Sequence, residues 1–259
     1  MRLGCCAYSF RDLLNSEKMT LEQFVDLCCE MGLDGVELTS YYFKDSSPRY
    51  LRELKKYCFL KGLEISGTAV GNNFCQAEAD KRREHVEMTK EWIANGQILG
   101  APVIRIFAGP VPKGHTEQEA FEWCVAAARE CIEYGEQHGV AVALENHGGI
   151  TATADQVLKL YEALKHPWFG INLDFGNYST AYPEFERTAP YVITTHAKTS
   201  YRPEGGERTK LDYNRIVQIM HAAGYRGYIS IEYEDPEAPL VAVPRFVEEL
   251  KAARAALAI

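Results

Sequence analysis

Apolar runs of strand length alternate with longer stretches of helical period along almost the whole chain. The runs are Leu3 to Ser9, Gly35 to Thr39, Glu64 to Val70, Val103 to Gly109, Val140 to Glu145, Gly170 to Asp174, Val192 to Ala197 and Tyr228 to Tyr233. They are short, rich in β-branched and small residues, and nearly continuous in apolar character, which marks strands buried on both faces of a parallel sheet. The stretches between them carry helix signals. Thr20 precedes Leu21, Phe24, Val25, Leu27 and Cys28, an i, i+3, i+4 face that closes at Gly32, so Thr20 reads as an N-cap. Tyr50 to Leu60 ends at Gly62, and residues 78–99 stop at Gly100 with Pro102 preventing continuation. Thr116 with Glu119 has capping-box spacing and opens a helix that runs to His138 and Gly139. Residues 153–165, 212–223 and 236–256 supply later helices, while Pro183 and Pro190 permit only a short one within 178–190.

Strand and helix alternating eight times requires crossover connections and hence a parallel sheet, and eight units close into a barrel. An open doubly wound sheet would need a glycine-rich phosphate turn after the first strand, and Ser9-Phe10-Arg11-Asp12 is not one. A length of 259 residues with no linker or low-complexity tract fits one domain over 1–259. The expected fold is therefore α/β, a single (β/α)8 TIM barrel. Every loop after a strand's C-terminal end then faces one mouth, where barrel sites form.

Composition narrows the partners. The chain has 28 basic against 36 acidic residues, a net charge of -8, which opposes attraction to nucleic acid or to an anionic membrane. No apolar run approaches membrane-spanning length, and MRLGCCAYSF lacks the apolar core of a signal peptide, so a cytoplasmic location is expected. The eight cysteines show no framework spacing and read as reduced, buried small hydrophobes, with Cys5 and Cys6 set apart by lying on the first strand.

Four consecutive strands carry an ionisable residue near their ends: Glu145, Asp174, His196 and Glu232. The clearest is Val140 to Gly149, where an apolar run breaks into Glu145, Asn146 and His147. In a barrel the four converge. Three carboxylates and an imidazole held together repel at neutral pH, and one divalent cation is the ordinary way to satisfy them. Oxygen and nitrogen ligands without thiolate suit Mn²⁺, Mg²⁺, Co²⁺ or Zn²⁺.

The chain resembles the xylose isomerase-like barrels of sugar (phosphate) isomerases and epimerases. The resemblance lies in Tyr8-Ser9-Phe10, Gly35-Val36-Glu37-Leu38, Val103-Ile104-Arg105-Ile106, Leu144-Glu145-Asn146-His147, Leu173-Asp174-Phe175-Gly176, Thr195-His196-Ala197-Lys198 and Ile231-Glu232. Similarity to the ketose 3-epimerases implies that Glu145, Asp174, His196 and Glu232 bind the metal, with Glu145 and Glu232 as the acid/base pair. A metal-dependent isomerase or epimerase of a small sugar or sugar derivative is the leading expectation. It would abstract the proton α to a carbonyl through a metal-stabilised enediolate. The alternatives are a lyase or dehydratase acting on a keto-sugar or inosose at the same metal, and a non-catalytic sugar-binding barrel.

The resemblance also implies secondary roles. Arg202 matches the family's substrate-binding arginine, and Lys198 is placed to hold a hydroxyl, carboxylate or phosphate. The family commonly has a histidine at the position of Asn177, which can hydrogen-bond a hydroxyl but is no comparable proton donor. His147 lies two residues past Glu145, on the same side if the strand persists, and is the candidate replacement. The endonuclease relatives need further histidine ligands, and Gly71 and Gly109 at the ends of strands three and four offer none. Glu37 and Arg105 are expected to form a structural ion pair, and Tyr8, Phe10 and Trp168 are candidate aromatic walls. Scarcity of basic groups near the mouth favours an unphosphorylated carbohydrate. Residues 201–210, rich in Pro, Gly and charge, are expected to form a mobile flap, and the exposed stretches near 71–80 and 200–210 offer contacts for a homo-oligomer.

Overall fold

In the computed structural model, which describes residues 1–257, eight parallel strands close into a barrel. In chain order the elements are β1 (Arg2–Cys6), α1 (Arg11–Asn15), α2 (Leu21–Glu30), β2 (Gly35–Thr39), α3 (Pro48–Leu60), β3 (Glu64–Ala69), α4 (Ala79–Leu99), β4 (Val103–Ile106), α5 (Glu117–His138) and β5 (Ala141–Glu145). There follow α6 (Ala154–Leu164), β6 (Phe169–Asp174), α7 (Tyr182–Thr188), β7 (Val192–Ala197), the two short strands β8 (Ser200–Tyr201) and β9 (Thr209–Lys210), α8 (Tyr213–Ala222), β10 (Tyr228–Ile231) and α9 (Pro239–Ala255). The barrel order is β1, β10, β7, β6, β5, β4, β3, β2, with β1 hydrogen-bonded to both β10 and β2. All eight expected strands form, so the chain is a (β/α)8 TIM barrel.

The helix starts follow their caps. Thr20, Thr116 and Thr153 each accept from a backbone N–H three residues on, while Gln23, Glu119 and Gln156 return a bond to the cap. Each reciprocal pair satisfies two otherwise orphaned donors. Gly100 and Gly139 follow α4 and α5 with φ of 77° and 67°, a left-handed turn that a side chain would strain. Apolar helix faces such as Phe24, Val25 and Cys28 on α2 are fully buried beneath the shell.

The barrel floor is closed by Tyr228, whose hydroxyl donates to Glu64. A Cβ at Gly35 would stand 2.7 Å from the Tyr228 ring and 2.9 Å from the Glu64 carbonyl oxygen, so only glycine lets the ring lie there. Above this floor the interior becomes polar.

Three expected strands stop early. The first ends at Cys6 because Ala7–Phe10 winds into a 3-10 turn, the fourth ends at Ile106, and the last ends at Ile231. Glu232 is nonetheless tied to the barrel, its N–H donating to the Ala197 carbonyl at 3.0 Å. The sequence pattern missed α1, a five-residue helix, and the ribbon in which β8 and β9 pair antiparallel. Residues 201–210 thus span a hairpin anchored by that pairing. Trp168 precedes β6 at the end of the barrel opposite Glu145, so it cannot wall the mouth. Among the described residues all eight cysteines are free and only Cys29 is exposed, as their scattered spacing implies. No described helix is long and apolar enough to cross a membrane.

Candidate metal centre and active site

Period-two alternation turns Asn172 and Asp174 on β6, and His196 and Lys198 on and after β7, to one side of the sheet. The same holds for Ser230 and Glu232 at the end of β10. Register does the rest: Asp174 pairs with His196, His196 with Ser230, and Glu145 with Asn172. Glu145, Asp174, His196 and Glu232 therefore meet, each offering one ligand atom within 4.8 Å of the others, and all four are buried. They occupy β5, β6, β7 and the residue after β10, four neighbours around the barrel with the two glutamates outermost.

His196 is the hub. Its Nε2 lies 2.9 Å from Glu37 Oε1, and its Nδ1 lies 3.2 Å from Glu145 Oε2 and 3.3 Å from Glu232 Oε2. Burial disfavours its charge, yet Glu232, Glu37 and Glu145 together hold its pKa well above the ordinary imidazole value. Lys198 is buried as well, with Nζ 2.6 Å from Glu232 Oε2, 2.8 Å from Glu234 Oε2 and 3.4 Å from Asp174 Oδ2. Desolvation is again outweighed, here by Asp174, Glu232 and Glu234, so the ammonium is retained. Arg105 points its guanidinium at Glu145, Nε to Oε2 3.0 Å, and rests on the Phe107 ring at 3.8 Å. The approach is off the N–H axis, leaving Nε without a hydrogen bond, and its attraction to Glu145 is chiefly electrostatic.

The carboxylates divide into two kinds. Glu145 and Glu232 suffer desolvation, but Arg105 with His196 holds the first, and His196 with Lys198 the second, below the usual carboxylate range. Asp174 is pushed up to about 7 by burial and by the charges of Glu145 and Glu232, with Lys198 only partly opposing. Its Oδ1 accepts from the Gly176 N–H at 2.7 Å, while Oδ2 is buried without a hydrogen-bond partner. The Lys198 ammonium 3.4 Å from that oxygen lies closer to Glu232 and Glu234 and is shared among the three carboxylates, so no hydrogen bond offsets the burial of Oδ2. With Nδ1 of His196 facing the same place, the donor set fits a divalent metal held by three oxygens and one nitrogen.

The remaining sequence candidates separate. Asn177 reaches the centre, Nδ2 donating to Glu145 Oε1 at 3.4 Å. His147 is exposed, because β5 ends at Glu145 and the alternation that would turn it inward ends with it. Its ring packs 4.4 Å from Phe107, at the rim. Arg202 is exposed in the hairpin and makes no hydrogen bond or ion pair with a described residue. Phe10 is core, against Phe24, whereas Tyr8 is half-buried beside Arg11. The expected Glu37–Arg105 pair does not form: Glu37 turns to His196 and Ser230, and Arg105 to Glu145. Sequence reasoning missed Asn172, which donates to Glu145 Oε2 at 3.0 Å, and Glu234. Both lie two residues from a named ligand, so the alternation that placed His147 would have found them. Cys6, whose Sγ lies 3.7 Å from Glu232 Oε1, carried a weaker signal.

The model of a family described as "Xylose isomerase-like TIM barrel" matches residues 25–256. No curated protein matches by sequence. Among solved structures, the chain is similar to an L-ribulose 3-epimerase (TM-score 0.77, 17% identity, covering 99% of this chain and 96% of that one). It is also similar to a D-psicose 3-epimerase solved in the presence of D-fructose (0.77, 12%, 98% and 97%). A third is the probable 3-DHS dehydratase AsbF from Bacillus anthracis (0.74, 21%, 100% and 99%). At these identities the likeness is one of fold.

Proposed function

The chain belongs to the xylose isomerase-like TIM barrel family, and on that premise we propose that it is a metal-dependent isomerase or epimerase of a small, uncharged hydroxy-ketone sugar or sugar derivative. One observation carries the reading: two glutamates, Glu145 and Glu232, are the outer members of a four-residue ligand group on adjacent strands at the barrel mouth. A sugar-binding barrel without turnover has no need of two carboxylates flanking a cation site.

Glu145, Asp174, His196 and Glu232 would hold the divalent ion, which would polarise a substrate carbonyl and so acidify the C–H of the adjacent hydroxyl-bearing carbon. Glu145 and Glu232, both kept ionised by their cationic neighbours, are the candidates to remove and return that proton. Return to the opposite face of the same carbon yields an epimer, and return to the neighbouring carbon an isomer. Lys198 fixes Glu232 through the 2.6 Å contact, and Arg105, Asn172 and Asn177 fix Glu145, so each base is held before substrate arrives. Asn177 also offers an amide to a sugar hydroxyl.

Charge sets the substrate class. Glu37, Glu145, Asp174, Glu232 and Glu234 stand against Arg105 and Lys198, and a divalent cation leaves the group still negative. Both basic groups are already engaged by carboxylates, which disfavours a phosphorylated substrate and favours a neutral polyhydroxylated one.

The test is incubation of the Mn²⁺-loaded protein with a panel of ketoses and keto-sugars in D₂O, followed by product identification. Deuterium α to the carbonyl with an epimer or isomer as product is expected. Loss of water instead would assign the lyase chemistry, and absence of exchange across the panel with metal bound would leave only a binding role.

A further inference from the structure

His196 has two ring nitrogens, and the barrel treats them differently. Nδ1 faces Glu145 and Glu232 inside the ligand group, whereas Nε2 faces Glu37 on β2, three strand positions around the barrel from β7. We propose that Glu37 is a positioning residue that fixes the hydrogen of His196 on Nε2, so that Nδ1 is the nitrogen presented to the metal ion. This rests on the four-ligand reading above and adds a member that binds neither metal nor substrate.

The Glu37 contact decides one ring nitrogen, while Nδ1 faces the oxygens of Glu145 and Glu232, which either a second ring hydrogen or a bound cation satisfies. A carboxylate oxygen only accepts, so the 2.9 Å contact to Glu37 Oε1 requires the hydrogen on Nε2. With a cation in place of the second ring hydrogen the imidazole is neutral, and with its hydrogen on Nε2 its lone pair is on Nδ1. Glu37 is itself held, since Ser230 Oγ donates to its other oxygen at 3.0 Å, and its side chain is buried. On the far side Asn172 Nδ2 lies 3.2 Å from Nδ1 while also donating to Glu145. That amide lets Nδ1 act as an acceptor. A carboxylate behind a ligating histidine fixes ring orientation and raises ligand basicity.

The backbone carries a second, independent mark. Strand register shifts between Val36 and Glu37 where β2 pairs β3, and between Ile171 and Asn172 where β6 pairs β7. Ser66 and Ile193 are the residues skipped. Such irregularities re-aim side chains beside active sites. Here the two shifts fall immediately before the two residues that touch the ring of His196 from outside the ligand group. The second also brings His196 opposite Asp174.

The experiment compares wild type, Glu37→Gln and Ser230→Ala by Mn²⁺ titration, reading free ion by electron paramagnetic resonance. The ring hydrogen of His196 is located by long-range ¹H–¹⁵N correlation in Zn²⁺-loaded wild type. Glutamine keeps the shape but can donate as readily as accept, so it no longer dictates the tautomer. Glu37→Gln is expected to lose about 10–100-fold in Mn²⁺ affinity, Ser230→Ala far less, and wild type to carry the hydrogen on Nε2. Unchanged affinity in Glu37→Gln, or a hydrogen on Nδ1 in wild type, overturns the proposal. The tautomer measurement needs no variant, so it decides the matter even if Glu37→Gln does not fold. Wild type that binds no Mn²⁺ sinks the ligand-group reading itself, and this inference with it. Mn²⁺ binding that is sensitive to Asp174→Asn but indifferent to Glu37→Gln removes this inference alone.

Discussion

Replacing Asp174 by Asn should stabilise the metal-free protein while removing its response to metal. Asp174 is buried among Glu145 and Glu232, and its carboxyl rises from 3.8 to about 7. A carboxyl whose folded pKa lies above its unfolded value binds its proton more tightly in the native state. Stability attributable to it therefore falls as pH rises from 3.8 to about 7, the reverse of the usual carboxylate. At about 1.4 kcal/mol per pH step, the segment between pH 5 and about 7 amounts to about 3 kcal/mol. Asparagine does not titrate, so its stability relative to wild type should improve by about that amount between pH 5 and pH 8. In a chain of this size 1 kcal/mol corresponds to about 2–4 °C in melting temperature, so the relative shift is about 6–12 °C. The comparison between two pH values cancels whatever the substitution does to the Gly176 contact and to packing. Thermal melts in chelator at both pH values, repeated with Mn²⁺, supply the data. Saturating metal at a hundred times its dissociation constant should add about 2.7 kcal/mol to wild type and far less to Asp174→Asn. A variant whose relative stability does not change with pH, or that Mn²⁺ stabilises as much as wild type, would refute the reasoning.

Other substitutions probe separate links. Glu145→Gln and Glu232→Gln should each lower kcat by about 10²–10⁴-fold, the usual worth of a positioned acid or base, and the double variant should hold less than stoichiometric metal by elemental analysis. Lys198→Met removes the cation from between Asp174, Glu232 and Glu234, three carboxylates within 3.4 Å of its ammonium. Breaking such a buried group should cost about 3–5 kcal/mol in urea denaturation of the metal-free protein, and added Mn²⁺ should recover part of it. Thr116→Ala removes one side of the box that starts α5 and should cost about 1 kcal/mol with unchanged kcat, since the Thr116 side chain bonds Glu119 and none of the four converging residues.

The barrel was legible because its signal repeats. Eight near-continuous apolar runs, each followed by a stretch of helical period, leave few topologies once crossovers must be right-handed, and the caps at Thr20 and Thr116 form where their spacing places them. The convergence of Glu145, Asp174, His196 and Glu232 was legible for the same reason: four strand ends carry the four residues, and closure brings strand ends together. Strand ends themselves were not. Whether residue 147 turns inward or outward depends on where pairing stops, which is decided by neighbouring strands distant in sequence, and β5 stops two residues short of it.

Partner choice inside the barrel was the least legible, and Glu37 and Arg105 show why. Each is a lone charge in an apolar strand, so pairing them balances the sequence. The structure instead gives each a partner on a strand that alternation alone could not select. Arg105 meets Glu145 on adjacent β5, while Glu37 reaches across β1 and β10 to His196. The choice follows from charge. If Glu37 and Arg105 neutralised one another, Glu145 and His196 would lose their outer supports, and the four converging residues would be left to balance their charges among themselves. Distributed as they are, Arg105 keeps Glu145 ionised as a candidate base and Glu37 turns His196 so that Nδ1 faces the ligand oxygens. The interior charges are better understood as one network centred on His196 than as a set of ion pairs, which is why pairwise reasoning from sequence assigned Glu37 the wrong neighbour.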